Sequence, residues 1–129
     1  MTRTILIADD DYDNRMIVKQ ALERANYAVM EATNGLEAVD MVSKNFPDLV
    51  LMDLTMPKLN GWDAAKRIRE NPQTSHIPIV AFTAHALVGE YERAKAAGCD
   101  DYIAKPCHPK DLVMKVANWF RTEEEEAHA

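Results

Sequence analysis

Three short segments of the chain hold mostly aliphatic side chains and no charged residue, and they constrain the fold more than any other feature. They cover Thr4–Ala8, Leu49–Met52 and residues 77–82. A strand with one face in water alternates polar and apolar residues, whereas a strand of a parallel sheet is covered by helices on both faces and is apolar throughout. The three segments therefore predict buried strands of a parallel sheet.

Segments with helical periodicity separate these strands from two weaker strand candidates, residues 27–32 and Asp101–Ala104. The first and the last helical segments repeat apolar residues at i, i+4 and i+8. Three further helices are predicted over residues 35–45, 61–71 and 88–97. A strand–helix unit thus occurs five times, which predicts an α/β fold with three layers: a five-stranded parallel sheet between two layers of helices, joined by right-handed crossovers.

The composition fits one compact domain and argues against several classes of protein. The 129 residues include 21 acidic and 15 basic side chains, a formal net charge of −6, whereas a nucleic-acid partner needs a basic face. No run of about 18 apolar residues could span a bilayer. Cys99 and Cys107 lack the spacing of metal ligands and are typical of a reduced compartment. We therefore expect a cytoplasmic domain with no nucleic-acid and no membrane partner.

Polar side chains follow the strands at the point where each strand ends. Asp9 and Asp10 follow the first strand and Asp53 the third, while Thr83 ends the fourth and Lys105 follows the fifth. The carboxyl ends of parallel strands meet at one edge of the sheet, where ligands bind. Clustered carboxylates repel one another unless a cation compensates them, and oxygen ligands favour Mg²⁺. A nearby ammonium and hydroxyl suit a phosphoryl group, so the pattern predicts phosphoryl transfer to or from a carboxylate.

Four motifs resemble those of the response-regulator receiver family of two-component signalling, and the resemblance extends over about residues 3–121. They are IADD (7–10), MDLTMPKLNG (52–61), FTA (82–84) and YIAKP (102–106). The resemblance implies a flavodoxin-like (βα)5 sandwich with strand order 2-1-3-4-5. The chain is most similar to single-domain regulators and to receivers of hybrid histidine kinases. Met1 and the complete fivefold unit favour the free regulator.

The resemblance also implies roles for the residues at the acidic end of the site. Asp53 matches the phosphoacceptor, and Asp10 matches the direct ligand of Mg²⁺, for which Mn²⁺ is an alternative. Asp9 matches the neighbour that holds a metal-bound water, and Thr55 matches the position whose backbone carbonyl binds the metal. Thr55 and His85 match the two positions that line the path of the attacking water and tune the phosphoryl lifetime.

The remaining matched residues belong to the phosphoryl pocket and to the conformational switch. Lys105 matches the lysine that binds the phosphoryl group and precedes a cis proline. Thr83 matches the switch hydroxyl, and the backbone N–H of Ala84 is expected to contact the phosphoryl group. Tyr102 matches the aromatic residue that swings inward when Thr83 moves.

The resemblance implies a signalling switch, not an enzyme, with self-catalysed phosphoryl acceptance and slow autodephosphorylation as its only chemistry. The donor is a histidine kinase or a histidine phosphotransfer protein. The target is an unknown protein that binds the face formed by the fourth helix, fifth strand and fifth helix, and the chain is expected to be a monomer or a weak dimer. Two alternatives are an unphosphorylated pseudo-receiver that only binds partners and a receiver excised from a hybrid kinase. A phosphatase of the haloacid-dehalogenase class needs a second acidic residue two positions after the nucleophile. Thr55 occupies that position here, which argues against this class of enzyme.

The expected domain boundary lies near the C-terminal end of the sequence. Residues 1–121 form the predicted receiver domain, and residues 122–129 include four consecutive glutamates. Terminal segments with a run of like charges are usually solvated and poorly ordered. We therefore expect residues 122–129 to be a disordered acidic tail.

Overall fold

A computed structural model describes residues 2–84 and 89–127 and shows five parallel strands that alternate with five helices. The strands lie in the order β2-β1-β3-β4-β5, which confirms the predicted architecture and the strand order that the resemblance implied. The elements along the chain are β1 (Thr4–Ala8), α1 (Tyr12–Arg24), β2 (Ala28–Ala32), α2 (Gly35–Asn45), β3 (Leu49–Met52), α3 (Gly61–Glu70), β4 (Ile79–Thr83), α4 (Glu90–Ala97), β5 (Asp101–Ala104) and α5 (Pro109–Ala127).

Successive residues of the central strands point to opposite faces of the sheet, so each face has its own apolar core. On one face, Leu6 and Val50 pack with residues of α2, α3 and α4. On the other face, Ile5 and Leu51 pack with residues of α1 and α5, among them Leu112. Because β1, β3 and β4 are covered on both sides, they need aliphatic residues at nearly every position, as their sequences have.

Asx caps start three of the helices just after the strands, close to the carboxyl edge of the sheet. The side chains of Asp11, Asn34 and Asn60 accept hydrogen bonds from the backbone N–H three residues later. Such caps satisfy N–H groups that a helix start leaves unpaired. Helix α4 is followed by Gly98, which has φ 109° and donates its N–H back into the helix, the usual geometry of a glycine C-terminal cap.

Two strand boundaries differ from the sequence prediction. β2 begins at Ala28, one residue later than expected. β4 begins at Ile79, not at residue 77, and extends through Thr83. Ile77 instead closes the preceding turn by donating its N–H to the carbonyl of Thr74 at 3.1 Å, and Pro78 has no N–H with which to extend the ladder. Helix α3 ends at Glu70, one residue earlier than expected, and residue 88 of the predicted fourth helix lies outside the described residues.

The expectation of a disordered tail from residue 122 is corrected, because α5 continues without a break to Ala127. Arg3 holds the extension against the body of the domain: its guanidinium lies 4.2 Å from the centroid of the Phe120 ring and pairs with the Glu124 carboxylate. Glutamate is also a good helix former. Within the part of the chain that the structure describes, no helix is long and apolar enough to cross a membrane.

One arginine of α3 connects the amino-terminal ends of β4 and β5, on the side of the sheet away from the carboxyl ends of the strands. Arg69 donates hydrogen bonds to the carbonyl oxygens of Gly98 (2.8 Å) and Ile77 (2.5 Å) and forms an ion pair with Asp100. Asp100 in turn accepts from the N–H of Ile79 at 2.8 Å through its carboxylate, and its own N–H donates to the Ile79 carbonyl at 2.7 Å. The starts of β4 and β5 are therefore fixed to each other and to α3.

Candidate phosphoryl-transfer site

Three carboxylates meet at the carboxyl edge of the sheet, where β1 and β3 end side by side. The N–H of Asp9 donates to the carbonyl of Ala32 at 3.0 Å, and that of Asp53 donates to the carbonyl of Ala8 at 2.9 Å. Both residues thus continue the sheet by one position. Oxygens of Asp9, Asp10 and Asp53 all lie within 4.8 Å of one another. Asp9 and Asp53 are buried, with exposures of 4% and 8%, whereas Asp10 is exposed.

Lys105 brings an ammonium group to this cluster from the end of β5. Its Nζ lies 2.6 Å from an Asp9 oxygen and 3.3 Å from an Asp53 oxygen. The peptide bond between Lys105 and Pro106 is cis. The backbone N–H of Lys105 donates to the Thr83 carbonyl at 2.8 Å. Burial by itself lowers the pKa of Lys105, but the hydrogen bond to Asp9 and the charges of Asp53 and Asp9 outweigh it, so the pKa is raised and the side chain stays charged.

The loop after β3 holds the second oxygen of the Asp53 carboxylate. Asp53 Oδ1 accepts from the Thr55 N–H at 3.2 Å, and Thr55 Oγ1 lies 3.5 Å away. The loop then returns beneath Asp53, and the N–H of Gly61 donates to the Leu54 carbonyl at 2.9 Å. A Cβ on Gly61 would lie only 2.2 Å from the Asp53 carbonyl oxygen. Glycine is therefore required here by the close approach of two backbone segments.

The structure places Thr83 and Ala84 next to Lys105 and places Tyr102 against α4. Thr83 is fully buried at the end of β4, and Ala84 is exposed next to it. Ala84 and Lys105 line the same cavity of about 450 Å³. Tyr102 is half-buried, and its ring meets the Tyr91 ring edge-on with the centroids 6.1 Å apart. Burial, followed by the charge of Glu90, raises the pKa of Tyr102, so its hydroxyl remains neutral. His85 lies outside the described residues.

A partly buried ion-pair network next to the acidic loop was not predicted from the sequence. Arg15 of α1 is 8% exposed, and it donates from Nη1 to the Asp9 carbonyl and from Nε to Glu31, both at 3.0 Å. Lys19 binds the other Glu31 oxygen at 3.1 Å. One signal could have revealed it: Arg15 stands three and seven positions before the core residues Val18 and Leu22, so it lies on the buried face of the helix.

The donor set of the cluster fits a hard divalent cation. Three carboxylates face one ammonium group, so the site carries surplus negative charge, and every potential ligand atom that the described residues offer there is oxygen. Oxygen-only sites with carboxylates favour Mg²⁺ or Mn²⁺ over metals that prefer sulfur or imidazole. The cluster therefore combines a cation site with a buried carboxylate, Asp53, that already has a cationic partner.

Comparisons with known proteins agree on one family. The profile of the response regulator receiver domain matches residues 5–117. The polar-differentiation response regulator DivK of Brucella ovis is 35% identical over 120 residues, which cover 93% of this chain and 98% of DivK. A CheY-like receiver domain protein from Methanospirillum hungatei is 28% identical with a TM-score of 0.90, covering 98% and 99% of the two chains. The receiver domain of the sensor histidine kinase PA1611 from Pseudomonas aeruginosa, solved with a magnesium ion in its active site cleft, is 32% identical with a TM-score of 0.85, covering 92% and 98%.

Proposed function

Because this chain belongs to the response regulator receiver family, whose members act as signalling switches, we propose that Asp53 is its phosphoacceptor. This assignment rests on the position of Asp53 directly after the central strand β3, in the segment MDLTMPKLNG that resembles the receiver motif, and two contacts hold its carboxylate there. Lys105 approaches one oxygen at 3.3 Å, and the Thr55 N–H approaches the other at 3.2 Å. Asp9 is held in a similar way by Lys105 and the Asp11 N–H, so it is the place of Asp53 after β3, in the matched motif, that distinguishes the two carboxylates.

In the proposed reaction, an oxygen of Asp53 attacks the phosphorus of a phosphohistidine in line with the bond to be broken. A P–O bond forms and the P–N bond breaks. The imidazole nitrogen keeps the bonding electron pair and takes up a proton from solvent. Lys105 stabilises the charge on the phosphoryl oxygens as a point charge, and the Thr55 N–H keeps the carboxylate in the attacking orientation.

The three carboxylates and the backbone carbonyl of Thr55 are the proposed holders of Mg²⁺, with Mn²⁺ as an alternative. The ion, when bound, supplies positive charge against the oxygens of the transferred group. Asp9 has a second task, because its Oδ2 binds Lys105 and its Oδ1 accepts from the Asp11 N–H at 2.9 Å. It thereby keeps the lysine close to Asp53 and links the cluster to the start of α1.

After phosphorylation the Asp53 side chain carries about 1.5 to 2 negative charges in place of one, next to groups that can respond. Thr83 and the backbone N–H of Ala84 are the proposed partners of the new oxygens, and Tyr102 is the proposed reporter on the outer face. Tyr102 packs against Tyr91 of α4, so a change in its rotamer alters the surface of α4, β5 and α5. The phosphorylated state is then a shift in population between two packings.

The proposed partners follow from this chemistry. A histidine kinase or a histidine phosphotransfer protein supplies the phosphoryl group, and a protein target binds the face of α4, β5 and α5. Slow autodephosphorylation, tuned by Thr55 and His85, returns the protein to its resting state. The cytoplasmic location and the monomeric or weakly dimeric state remain predictions from the sequence.

Intact-mass analysis tests the assignment of Asp53 directly. We expect wild type, incubated with acetyl phosphate and MgCl₂ or with a phosphorylated phosphotransfer domain, to gain one base-labile phosphoryl group. Asp53→Asn should gain none. Asp40→Asn is the matched control, since Asp40 is an exposed carboxylate of α2, remote in sequence from the cluster, that pairs with Lys44. A gain in Asp53→Asn equal to wild type would refute the assignment, and no gain in any protein from either donor would favour the pseudo-receiver.

A further inference from the structure

One buried cation lies directly beneath the acidic loop and belongs to none of the roles described so far. The Arg15 side chain is 10% exposed and joins three elements. It is carried by α1, pairs with Glu31 of β2 and donates to the backbone carbonyl of Asp9 in the loop after β1. Buried arginines are costly unless they are paired and hydrogen-bonded. This one uses its bonds to connect a strand to the loop that carries two of the carboxylates.

The position of Glu31 makes it a firm anchor for this connection. Glu31 is opposite Ile7 in the register of β1 and β2. The sheet therefore fixes the backbone of Glu31 at the level of Ile7, which stands two residues before Asp9. Lys19 binds its second oxygen. Burial raises the pKa of Glu31, but the hydrogen bonds from Arg15 and Lys19 outweigh it, and the pKa is lowered. Glu31 therefore stays ionised at neutral pH and holds the guanidinium in place.

The contact with the Asp9 carbonyl acts on Asp10 through the peptide bond. The atoms of the peptide between Asp9 and Asp10 lie in one plane, so fixing the carbonyl oxygen also fixes the direction of the Asp10 N–H and the position of its Cα. Asp10 is the exposed member of the cluster, and no contact of its own carboxylate is among those described. Repulsion from Asp9 and Asp53 favours its movement away from the site.

We propose that Arg15 is a positioning residue for the cation site, one that holds the Asp9–Asp10 peptide so that the Asp10 carboxylate remains beside Asp9 and Asp53. The inference deepens the proposed function and rests on it, since it takes these three carboxylates as the ligands of a divalent ion. Arg15 touches neither the ion nor the phosphoryl group. It acts through the backbone of the residue it binds.

A purely electrostatic role for Arg15 predicts the opposite sign of effect. A positive charge near the site repels a divalent cation, so its removal would tighten Mg²⁺ binding. Loss of positioning would weaken Mg²⁺ binding, because the loop must then be ordered when the ion binds. Lys19 provides the matched control, since it carries the same charge and binds the same Glu31 without a described contact to the acidic loop.

The test is a titration with MgCl₂ followed by the ¹H–¹⁵N signals of Asp10 and Thr55. We expect Arg15→Met to raise the dissociation constant for Mg²⁺ about tenfold, as is typical when an outer-shell partner is lost. Lys19→Met should stay within about twofold of wild type, a limit far below that outer-shell effect. Arg15→Lys, whose single ammonium can reach the carbonyl or the glutamate but cannot bridge both, should fall between wild type and Arg15→Met. The dissociation constant is measured on the folded protein, so a loss of stability alone does not move it.

The outcomes separate the inference from the proposed function. Equal or tighter binding by Arg15→Met overturns the positioning role. An equal loss in Arg15→Met and Lys19→Met overturns it as well, because it would assign the effect to the shared partner Glu31 and not to the contact with Asp9. If Arg15→Met does not fold, Arg15→Lys decides, because unchanged binding by this variant together with loss of the contact to Asp9 overturns the inference. If wild type itself shows no saturable shift at Asp10, the proposed metal site fails together with the inference built on it.

Discussion

Replacing Asp10 by asparagine should stabilise the protein in the absence of divalent ions. The Asp10 carboxylate lies within 4.8 Å of those of Asp9 and Asp53, and Lys105 offsets one of the two charges. One remaining like charge at that distance costs about 0.9 kcal/mol in water and about 3.5 kcal/mol at an effective dielectric constant of 20. Because Asp10 is exposed, the lower figure applies, and we expect the free energy of unfolding to rise by about 1 kcal/mol.

Magnesium should reverse the order of the two proteins. An ion present at ten times its dissociation constant stabilises the folded state by about 1.4 kcal/mol. Wild type should gain this amount, whereas Asp10→Asn has lost a charged ligand and should gain much less. The variant is then the more stable protein in EDTA, and wild type gains the advantage as MgCl₂ is raised.

Urea unfolding followed by circular dichroism, in EDTA and in MgCl₂ at matched ionic strength, measures both effects. Asp11→Asn is the control, since it removes the same charge from the next residue while asparagine still caps α1. The control should show little gain in EDTA and should keep the response to Mg²⁺. A variant Asp10→Asn that is less stable than wild type in EDTA would refute the electrostatic reasoning, and an undiminished response to Mg²⁺ would remove Asp10 from the ligand set.

Three further predictions concern other parts of the fold. Gly98→Ala should lower the free energy of unfolding by about 2 kcal/mol, since φ is 109° and a Cβ would lie 2.5 Å from Arg69 Cγ. Gly89→Ala should lower it by about 1 kcal/mol, because φ is also positive there but no described atom lies within 4 Å of the added Cβ. Urea titrations compare the two variants. Folding lowers the pKa of Glu31 below its ordinary value of 4.5. The contribution of the ionised Glu31 to the free energy of unfolding is therefore present above that value and is lost as the pH falls through the lowered pKa. The difference in urea midpoint between wild type and Glu31→Gln should shrink in that range. Lys105→Ala should still accept phosphoryl groups slowly by mass analysis but should no longer shift the NMR signal of Tyr102, and a full shift there would contradict the role of the lysine.

The fold was predictable because its strongest determinants are local. Aliphatic runs without charge specify buried parallel strands, and the apolar periodicity of the segments between them specifies the helices. The start of β4 was misjudged because residues 77 and 78 continue the apolar run, although the Ile77 N–H closes a turn with Thr74 and Pro78 has no N–H to donate to the ladder. The helical extension to Ala127 was missed because its support comes from Arg3, at the other end of the sequence.

The candidate site was predictable for a different reason. Parallel topology brings the ends of all strands to one edge, so a list of polar residues after the strands is already a list of neighbours. The Arg15 network escaped this logic, since Arg15 lies on a helix and Glu31 within a strand, and neither stands at a strand end. Its detection required reading a charge on the apolar face of α1 as a buried group with a partner elsewhere.

The contacts of Arg69 and Asp100 hold β4 and β5 at the end of the sheet away from the carboxylate cluster. They secure the first residues of β4 and β5, about 13 Å along the strand from Thr83 at a rise of roughly 3.3 Å per residue. One end of each strand is therefore held by these contacts, whereas the other end lies on the side of the sheet that carries Asp53. If Asp53 is phosphorylated as proposed, we therefore expect a movement of Thr83 to bend the carboxyl ends of the strands and the loops after them without sliding the strands.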